Sequence, residues 1–185
     1  AVTTPTATTD VSALPLHLLP DNAAVDADGQ ATIGGLRLTD LAAEFGTPLF
    51  VYDEDHLRAR CRESVAAFGD GVAYASKAFL CIAMAKLAAE EGMRIDVASG
   101  GELHVVLAAG VPAERCVFHG NNKSSDELAR AIEVGVGKIV VDSFDELDRL
   151  DALLGDGGPC AGHAPVRVMI RVTPGIEVHT FEEVQ

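Results

Sequence analysis

The fold of this chain is decided by the stretch MRIDVASGGELHVVLAAG, from Met93 to Gly110. It opens with a short apolar run typical of a buried strand and closes with an amphipathic helix that ends at a glycine. Between the two, Ser99 and Glu102 have the S-x-x-E spacing of a capping box, in which a serine and a glutamate satisfy free N–H groups at a helix start. The stretch therefore predicts a strand that leads directly into a helix.

The same unit recurs along the chain from Pro48 onward. Two further capping boxes, Ser124 with Glu127 and Ser143 with Glu146, hold the equivalent place in later units. The sequence predicts six strands and five helices, and the strands are PLFVY, VAYAS, MRIDVA, CVFHG, KIVVD and VRVMIRV. Because helices of ten or more residues separate the strands, we expect right-handed crossovers and a parallel sheet that is buried on both faces.

Two architectures satisfy this pattern, an open doubly wound sheet and a (β/α)8 TIM barrel. A dinucleotide-binding sheet would show G-x-G-x-x-G after its first strand, whereas here the acidic run YDED stands at that place, and no Walker A pattern occurs elsewhere. A complete barrel needs eight strands in about 250 residues. We therefore predict an incomplete barrel of about six parallel strands over residues 36–185, preceded by a flexible leader and N-terminal segment over residues 1–35.

The composition narrows the possible partners. The 185 residues include 28 acidic and 14 basic side chains, a formal charge of −14, which argues against a nucleic-acid partner. The first residues, AVTTPTATTD, lack the basic start and apolar core of a signal peptide, and no apolar window has the length of a membrane span. We therefore expect a cytoplasmic protein with no membrane partner, whose leader of about twenty residues is flexible.

The spacing of cysteine and histidine indicates no metal site. The four cysteines form no C-x-x-C pair, and the six histidines show no H-E-x-x-H or comparable spacing. Isolated cysteines in a reducing compartment are typically small buried hydrophobic residues. We expect that role for most of them.

Candidate functional residues lie where the predicted strands end, because loops and helix N-termini of a parallel α/β sheet converge there. We call this edge of the sheet the rim. It offers an amine, carboxylates, amides and a guanidinium, contributed by Lys77, Asp96, Ser99, residues 119–123, Asp142 and residues 171–174. A rim lysine can be partly desolvated, which favours the neutral amine that a Schiff base needs. Taken alone, Lys77 fits equally well a solvated lysine at a helix start, and SGGE and HGNNKS fit an ordinary turn and loop.

Six motifs in this order resemble the N-terminal half of the diaminopimelate decarboxylase family. The motifs are GTPLFVYD, YASKA, IDVASGGEL, FHGNNKS, IVVDSFDEL and IRVTPGIEVHT, and they extend from about Leu36 to Thr180. That family belongs to the pyridoxal-phosphate enzymes that share a barrel with alanine racemase and ornithine decarboxylase. The SGGEL and HGNNKS forms favour the diaminopimelate branch.

The resemblance implies a cofactor site. Lys77 would form the Schiff base with pyridoxal phosphate, Asp96, Glu102 and Arg171 would support the cofactor and its lysine, and His119 and Asn121 would lie beside it. The family reaction is decarboxylation of the amino acid meso-2,6-diaminopimelate to L-lysine and carbon dioxide, by a homodimer.

Two departures from the family pattern bear on these expectations. Phe79 stands after YASKA where the family usually has asparagine, and the chain ends with HTFEEVQ where the family continues into further barrel strands and a C-terminal β domain. We therefore expect a truncated chain that is inactive alone. Two other interpretations stay open, namely a non-catalytic half-barrel that binds the cofactor, and another decarboxylase, of the ornithine or arginine type, or a racemase of the same fold.

Overall fold

The computed structural model describes residues 18–163, 165–172 and 174–175. The chain divides into two compact units, Ala1–Arg60 and Cys61–Gln185. The predicted boundary at 35/36 falls inside the first of them. Most of the predicted leader and the end of the last family motif lie outside the described residues.

The first unit contains a small antiparallel sheet that spans the predicted boundary at 35/36. Its elements are β1 (Ala24–Val25), β2 (Ala31–Ile33), β3 (Leu36–Arg37) and helix α1 (Leu38–Phe45). β2 is the central strand and pairs antiparallel with both neighbours. The part of residues 1–35 that the structure describes therefore includes regular secondary structure.

The second unit is built on a parallel sheet of five strands, which lie side by side in chain order. The strands are β4 (Ala73–Ala75), β5 (Arg94–Val97), β6 (Cys116–Phe118), β7 (Lys138–Val141) and β8 (Val168–Ile170). Asp96 of β5 stands level with Ala75 on one side and Val117 on the other. The ends of consecutive strands, where the rim residues lie, are therefore side by side.

Helices separate the strands as the sequence predicts. They are α2 (Glu54–Phe68), α3 (Ile82–Glu90), α4 (Gly100–Ala108), α5 (Ser125–Val134) and α6 (Phe144–Leu154). At most 1% of the surface is exposed for the core residues of the sheet and helices. They are Ile95, Phe118 and Ile139 on the strands, and Leu103 and Leu128 on the helices. The predicted α/β class with a parallel sheet is confirmed, and the predicted burial holds for the central strands β5, β6 and β7.

The cysteines largely behave as small hydrophobic residues. All four are free thiols, and Cys61, Cys116 and Cys160 are buried, while Cys81 is half-buried. Burial raises the pKa of the Cys116 thiol to about 11, with a smaller contribution from the Glu114 carboxylate. The Cys116 thiol therefore stays protonated and unreactive at neutral pH.

The three predicted caps form, but only one is a reciprocal box. Each serine accepts a hydrogen bond from the N–H three residues later, at 3.2 Å. Only Glu127 returns the bond to the N–H of its own cap serine. Glu102 and Glu146 instead accept from the residue before the cap, at 2.7 and 3.0 Å.

The prediction that PLFVY is a strand is wrong. Residues 49–53 have no strand assignment, and Phe50 is 85% exposed. An apolar run becomes a strand only where a neighbouring strand takes its hydrogen bonds, and no described strand pairs with it. The parallel sheet therefore has five strands instead of six, and its last strand, β8, is exposed along its whole length.

Within the part of the chain that the structure describes, no helix combines the length and apolarity needed to cross a bilayer. The same residues contain no group of three or more His, Cys, Asp or Glu side chains arranged to hold a metal ion.

Gly137, at the start of β7, provides a test of the close packing of these strands. A β-carbon there would lie 2.2 Å from the carbonyl oxygen of Glu114, and the Gly137 N–H bonds the Cys116 carbonyl at 3.0 Å. We expect Gly137→Ala to lower the free energy of unfolding by about 1–3 kcal/mol, since the backbones must separate. Urea unfolding measures the change.

Gly71→Ala is the matched control, because a β-carbon at Gly71 meets nothing within 4 Å. It should leave the unfolding free energy within about 0.5 kcal/mol of the unsubstituted chain. Equal losses for the two variants would contradict the close approach at Gly137.

Candidate active site at the rim of the parallel sheet

Lys77 lies on the rim, in a short 3-10 turn, Ser76–Ala78, that follows β4. Its side chain is exposed, as in the solvated alternative that the sequence leaves open. No described residue accepts a hydrogen bond from its ammonium group or forms an ion pair with it. The turn therefore presents a solvent-accessible amine that has no competing partner among the described residues.

Side chains on both sides hold the turn that carries Lys77. The Ser76 hydroxyl donates to Oε2 of Glu102 at 2.7 Å, and the same oxygen accepts the N–H of Ala98 at 2.7 Å. The Tyr74 hydroxyl donates to the carbonyl of Phe79 at 2.6 Å, beyond the other end of the turn. Glu102 is thus bound to the ends of β4 and β5 and supports the lysine indirectly.

Asp96 and His119 meet across the ends of β5 and β6. Nδ1 of His119 lies 3.4 Å from each carboxylate oxygen of Asp96. The main-chain N–H of His119 bonds the Val97 carbonyl at 2.7 Å, which fixes the start of the loop. Oδ1 of Asp96 is buried and has no hydrogen bond among the described residues, so it is an acceptor that still requires a donor.

Arg171 and Asp142 form the corresponding pair at the ends of β8 and β7. Nε of Arg171 lies 3.3 Å from Oδ1 of Asp142, and the Arg171 N–H bonds the Val141 carbonyl at 2.9 Å. The Arg171 side chain is 45% exposed, so the guanidinium nitrogen atoms other than Nε can contact a ligand at the rim. Asn121 is exposed on the loop that follows His119.

Lys123 is the residue whose role the sequence does not reveal. We place it on the rim from its position in HGNNKS, but its side chain is fully buried. Its ammonium group lies 2.7 Å from Oε1 of Glu146 and donates to the carbonyls of Gly120 and Val140. Lys123 therefore anchors the 119–123 loop to β7 and α6 instead of facing a substrate.

The rim residues are joined in neighbouring pairs. Ser76 binds Glu102, Asp96 meets His119, and Asp142 meets Arg171, each across adjacent units of the sheet. Lys77 has a place in this row without a bond to any described member of it. The arrangement offers a free amine, a carboxylate with an unused acceptor and a guanidinium on one edge.

Comparison with known proteins identifies the family to which the chain belongs. The sequence profile of the pyridoxal binding domain of pyridoxal-dependent decarboxylases matches residues 54–184. The chain belongs to this family. The matched range includes all the rim residues.

Individual relatives agree with the family match. The diaminopimelate decarboxylase of Mycobacterium tuberculosis is 51% identical over 173 residues, which cover 90% of this chain and 38% of the relative. A crystal structure of diaminopimelate decarboxylase from M. jannaschii has a TM-score of 0.72 and 30% identity, over 85% of this chain and 37% of that chain. Its complex with L-lysine has a TM-score of 0.64 and 33% identity, over 71% and 32%. The chain thus spans well under half the length of these relatives.

The buried pair of Lys123 and Glu146 yields a prediction about stability. Lys123→Met leaves the Glu146 carboxylate buried without its cation, so we expect a loss of about 3–5 kcal/mol in the free energy of unfolding. Lys86→Met is the control, because Lys86 is exposed and lies 3.9 Å from Glu90. It should cost less than about 1 kcal/mol.

A double variant isolates the interaction between Lys123 and Glu146. Lys123→Met combined with Glu146→Gln should cost clearly less than the sum of the two single substitutions, because no unpaired charge stays buried. Urea unfolding of the four proteins completes the cycle. Strict additivity would contradict the coupling.

Glu127 yields a prediction about pH. The pKa of the Glu127 carboxyl lies below its ordinary value of 4.5 because the carboxylate accepts two main-chain hydrogen bonds. The N–H of Ser124 has the larger effect and the N–H of Gly100 the smaller one. A lowered folded-state pKa stabilises the fold above the ordinary value, and this stabilisation is lost as the pH falls through the folded-state pKa. Glu127→Gln should therefore flatten the acid side of a plot of unfolding free energy against pH.

Glu133→Gln on the same helix is the matched control, since Glu133 is exposed and, among the described residues, its carboxylate contacts Arg130 at 3.4 Å and accepts no main-chain N–H. It should leave that slope unchanged. A Glu127→Gln slope equal to that of the unsubstituted chain would show that the two N–H bonds do not govern this titration.

Proposed function

We propose that this chain is the pyridoxal-phosphate-binding part of a diaminopimelate decarboxylase, with Lys77 as the lysine that holds the cofactor. The whole enzyme converts meso-2,6-diaminopimelate to L-lysine and carbon dioxide. The observation that carries the proposal is the free, exposed ammonium group of Lys77 on the rim of a family-matched sheet. The name of the M. tuberculosis relative and the L-lysine in the M. jannaschii structure support the choice of substrate.

The described residues fit such a cofactor. An aldehyde group requires an accessible amine, and Lys77 is exposed with no described partner. The buried, unbonded Oδ1 of Asp96 lies on the adjacent strand and can accept a hydrogen bond from a bound group. Close to it, Gly120 has a φ of 97°, and a β-carbon there would lie 2.8 Å from the Ala98 carbonyl oxygen, so the loop passes tightly across the end of β5.

The chemistry divides between cofactor and protein. Pyridoxal phosphate supplies an aldehyde for the lysine amine and a conjugated ring that accepts the electron pair left behind when carbon dioxide departs. Lys77 contributes the attachment point and a nitrogen that carries a proton. Asp96 holds Nδ1 of His119 and so directs Nε2 of that ring away from the carboxylate, toward ligand or solvent. Arg171, oriented by Asp142, provides positive charge on a rim that must receive anionic groups.

Glu102 and Asn121 have different roles in the proposed site. Glu102 supports Lys77 through Ser76, and Asn121 lies exposed on the loop that also carries His119. We further propose that the whole enzyme is a cytoplasmic homodimer, without a nucleic-acid or membrane partner. Its acidic composition and the family resemblance support this view.

Cofactor attachment tests the proposal directly. Adding pyridoxal phosphate to the 185-residue chain and reducing with borohydride should label Lys77, as located by mass spectrometry of peptides. Lys77→Ala should abolish the label, because the amine is removed. Lys86→Ala, which removes an exposed lysine from α3, should retain it.

Label that persists in Lys77→Ala at the level of the unsubstituted chain would refute the role given to Lys77. Substrate choice is tested in the whole enzyme of which we propose this chain to be a part, by carbon dioxide release from meso-2,6-diaminopimelate, ornithine and arginine. Release from ornithine or arginine in preference to diaminopimelate would favour another decarboxylase of this fold. Cofactor attachment in that whole protein without release from any of the three would favour a non-catalytic cofactor-binding protein.

A further inference from the structure

Ser76 contrasts with the lysine that follows it. Its side chain is 1% exposed, whereas Lys77 is exposed, although the two are consecutive residues of one short turn. A buried hydroxyl needs a hydrogen-bond partner, and that of Ser76 has a strong one in the Glu102 carboxylate at 2.7 Å. The Ser76 side chain is therefore held in place by a hydrogen bond, whereas the Lys77 side chain extends into solvent.

We propose that Ser76 is a positioning residue for Lys77. Its hydroxyl, bound to Glu102, fixes the direction in which the turn presents the lysine amine to an aldehyde cofactor. This inference rests on the proposed function, because it concerns the same lysine. It adds a residue that neither the rim pattern nor the family motifs assign, since Ser76 itself touches only Glu102 among the hydrogen bonds of the described residues.

The geometry of the bond supports a positioning role. Oε2 of Glu102 receives two donors, the Ser76 hydroxyl at the end of β4 and the Ala98 N–H at the end of β5. The carboxylate thus ties the turn to the adjacent strand. Removing the hydroxyl leaves the Ala98 bond in place, so the start of α4 keeps its connection while the turn loses its own.

Helix capping does not account for Ser76. The cap serines Ser99, Ser124 and Ser143 accept hydrogen bonds from N–H groups of the helices they begin. Ser76 instead donates, to a residue 26 positions later, and the residue that precedes its 3-10 turn, Ala75, makes no side-chain cap. The bond between Ser76 and Glu102 therefore joins two units of the sheet.

The experiment compares three chains, the unsubstituted protein, Ser76→Ala and Ser143→Ala. Ser143→Ala is the matched control, because it removes a hydroxyl that caps α6 away from Lys77. Pyridoxal phosphate alone is the probe. Its dissociation constant is measured by absorbance, and the rate of borohydride-trapped attachment at Lys77 by mass spectrometry.

We expect Ser76→Ala to weaken attachment at Lys77 about fivefold or more, the effect of losing one hydrogen bond to a charged group. It should also change the rate at which acetic anhydride labels Lys77 in the absence of pyridoxal phosphate, which reports on the amine itself. Ser143→Ala should stay within about twofold of the unsubstituted chain in both measurements, although it loses a cap of similar energy.

Attachment and acetylation rates within twofold of the unsubstituted chain in a folded Ser76→Ala protein would overturn the inference. If Ser76→Ala does not fold, Ser76→Cys replaces it, since a thiol keeps the volume and weakens the donor, and the same thresholds decide. Absence of attachment in the unsubstituted chain would instead refute the proposed function. The acetylation rates would then still test the link between Ser76 and Lys77.

Discussion

The second unit depends on one repeated interaction, in which a glutamate near the start of a helix binds the unit before it. Glu102 accepts from Ser76, Glu127 accepts the N–H of Gly100 at 2.7 Å, and Glu146 pairs with Lys123. Each carboxylate also accepts a main-chain N–H at the start of its own helix. Because hydrogen bonds to a charged group each stabilise by about 1.5–3 kcal/mol, these links join successive units at the rim beyond what the strand ladder provides.

This interaction explains why residues that stabilise the fold and candidate functional residues lie at the same edge of the sheet. A parallel sheet brings every helix N-terminus to the ends of the strands, where free N–H groups require acceptors. The opposite edge is fixed differently, by Asp70, which binds Arg94 and Arg115 at the starts of β5 and β6. The Arg94 guanidinium, and to a lesser degree that of Arg115, holds the pKa of the Asp70 carboxyl below its usual value. Both ends of the strands are thus tied by charged groups, and among the described cations of the rim Lys77 is the one without such a tie.

Much of this could be predicted from the sequence, and the failures have physical causes. The S-x-x-E spacing locates the caps at Ser99, Ser124 and Ser143 because capping depends on a few consecutive residues. PLFVY is misassigned because a strand depends on a distant neighbour that its own residues do not specify. The burial of Lys123 is equally invisible, since it depends on Glu146 and the Val140 carbonyl arriving from another unit. Local chemistry was predictable, whereas contacts between units required the structure.

Lys77 differs from the other cations of the rim in its lack of an ion pair with any described residue. Lys123 is buried and is paired with Glu146, as expected for a desolvated charge. Arg171 is half-exposed and is paired with Asp142. In a chain with twice as many acidic as basic residues, carboxylates are abundant, yet no described one pairs with Lys77. An ion pair would hold the amine protonated and oppose its reaction with an aldehyde. The Glu102 carboxylate, on the adjacent unit, accepts from the serine beside the lysine instead, which secures the turn and leaves the amine without an ion pair among the described residues.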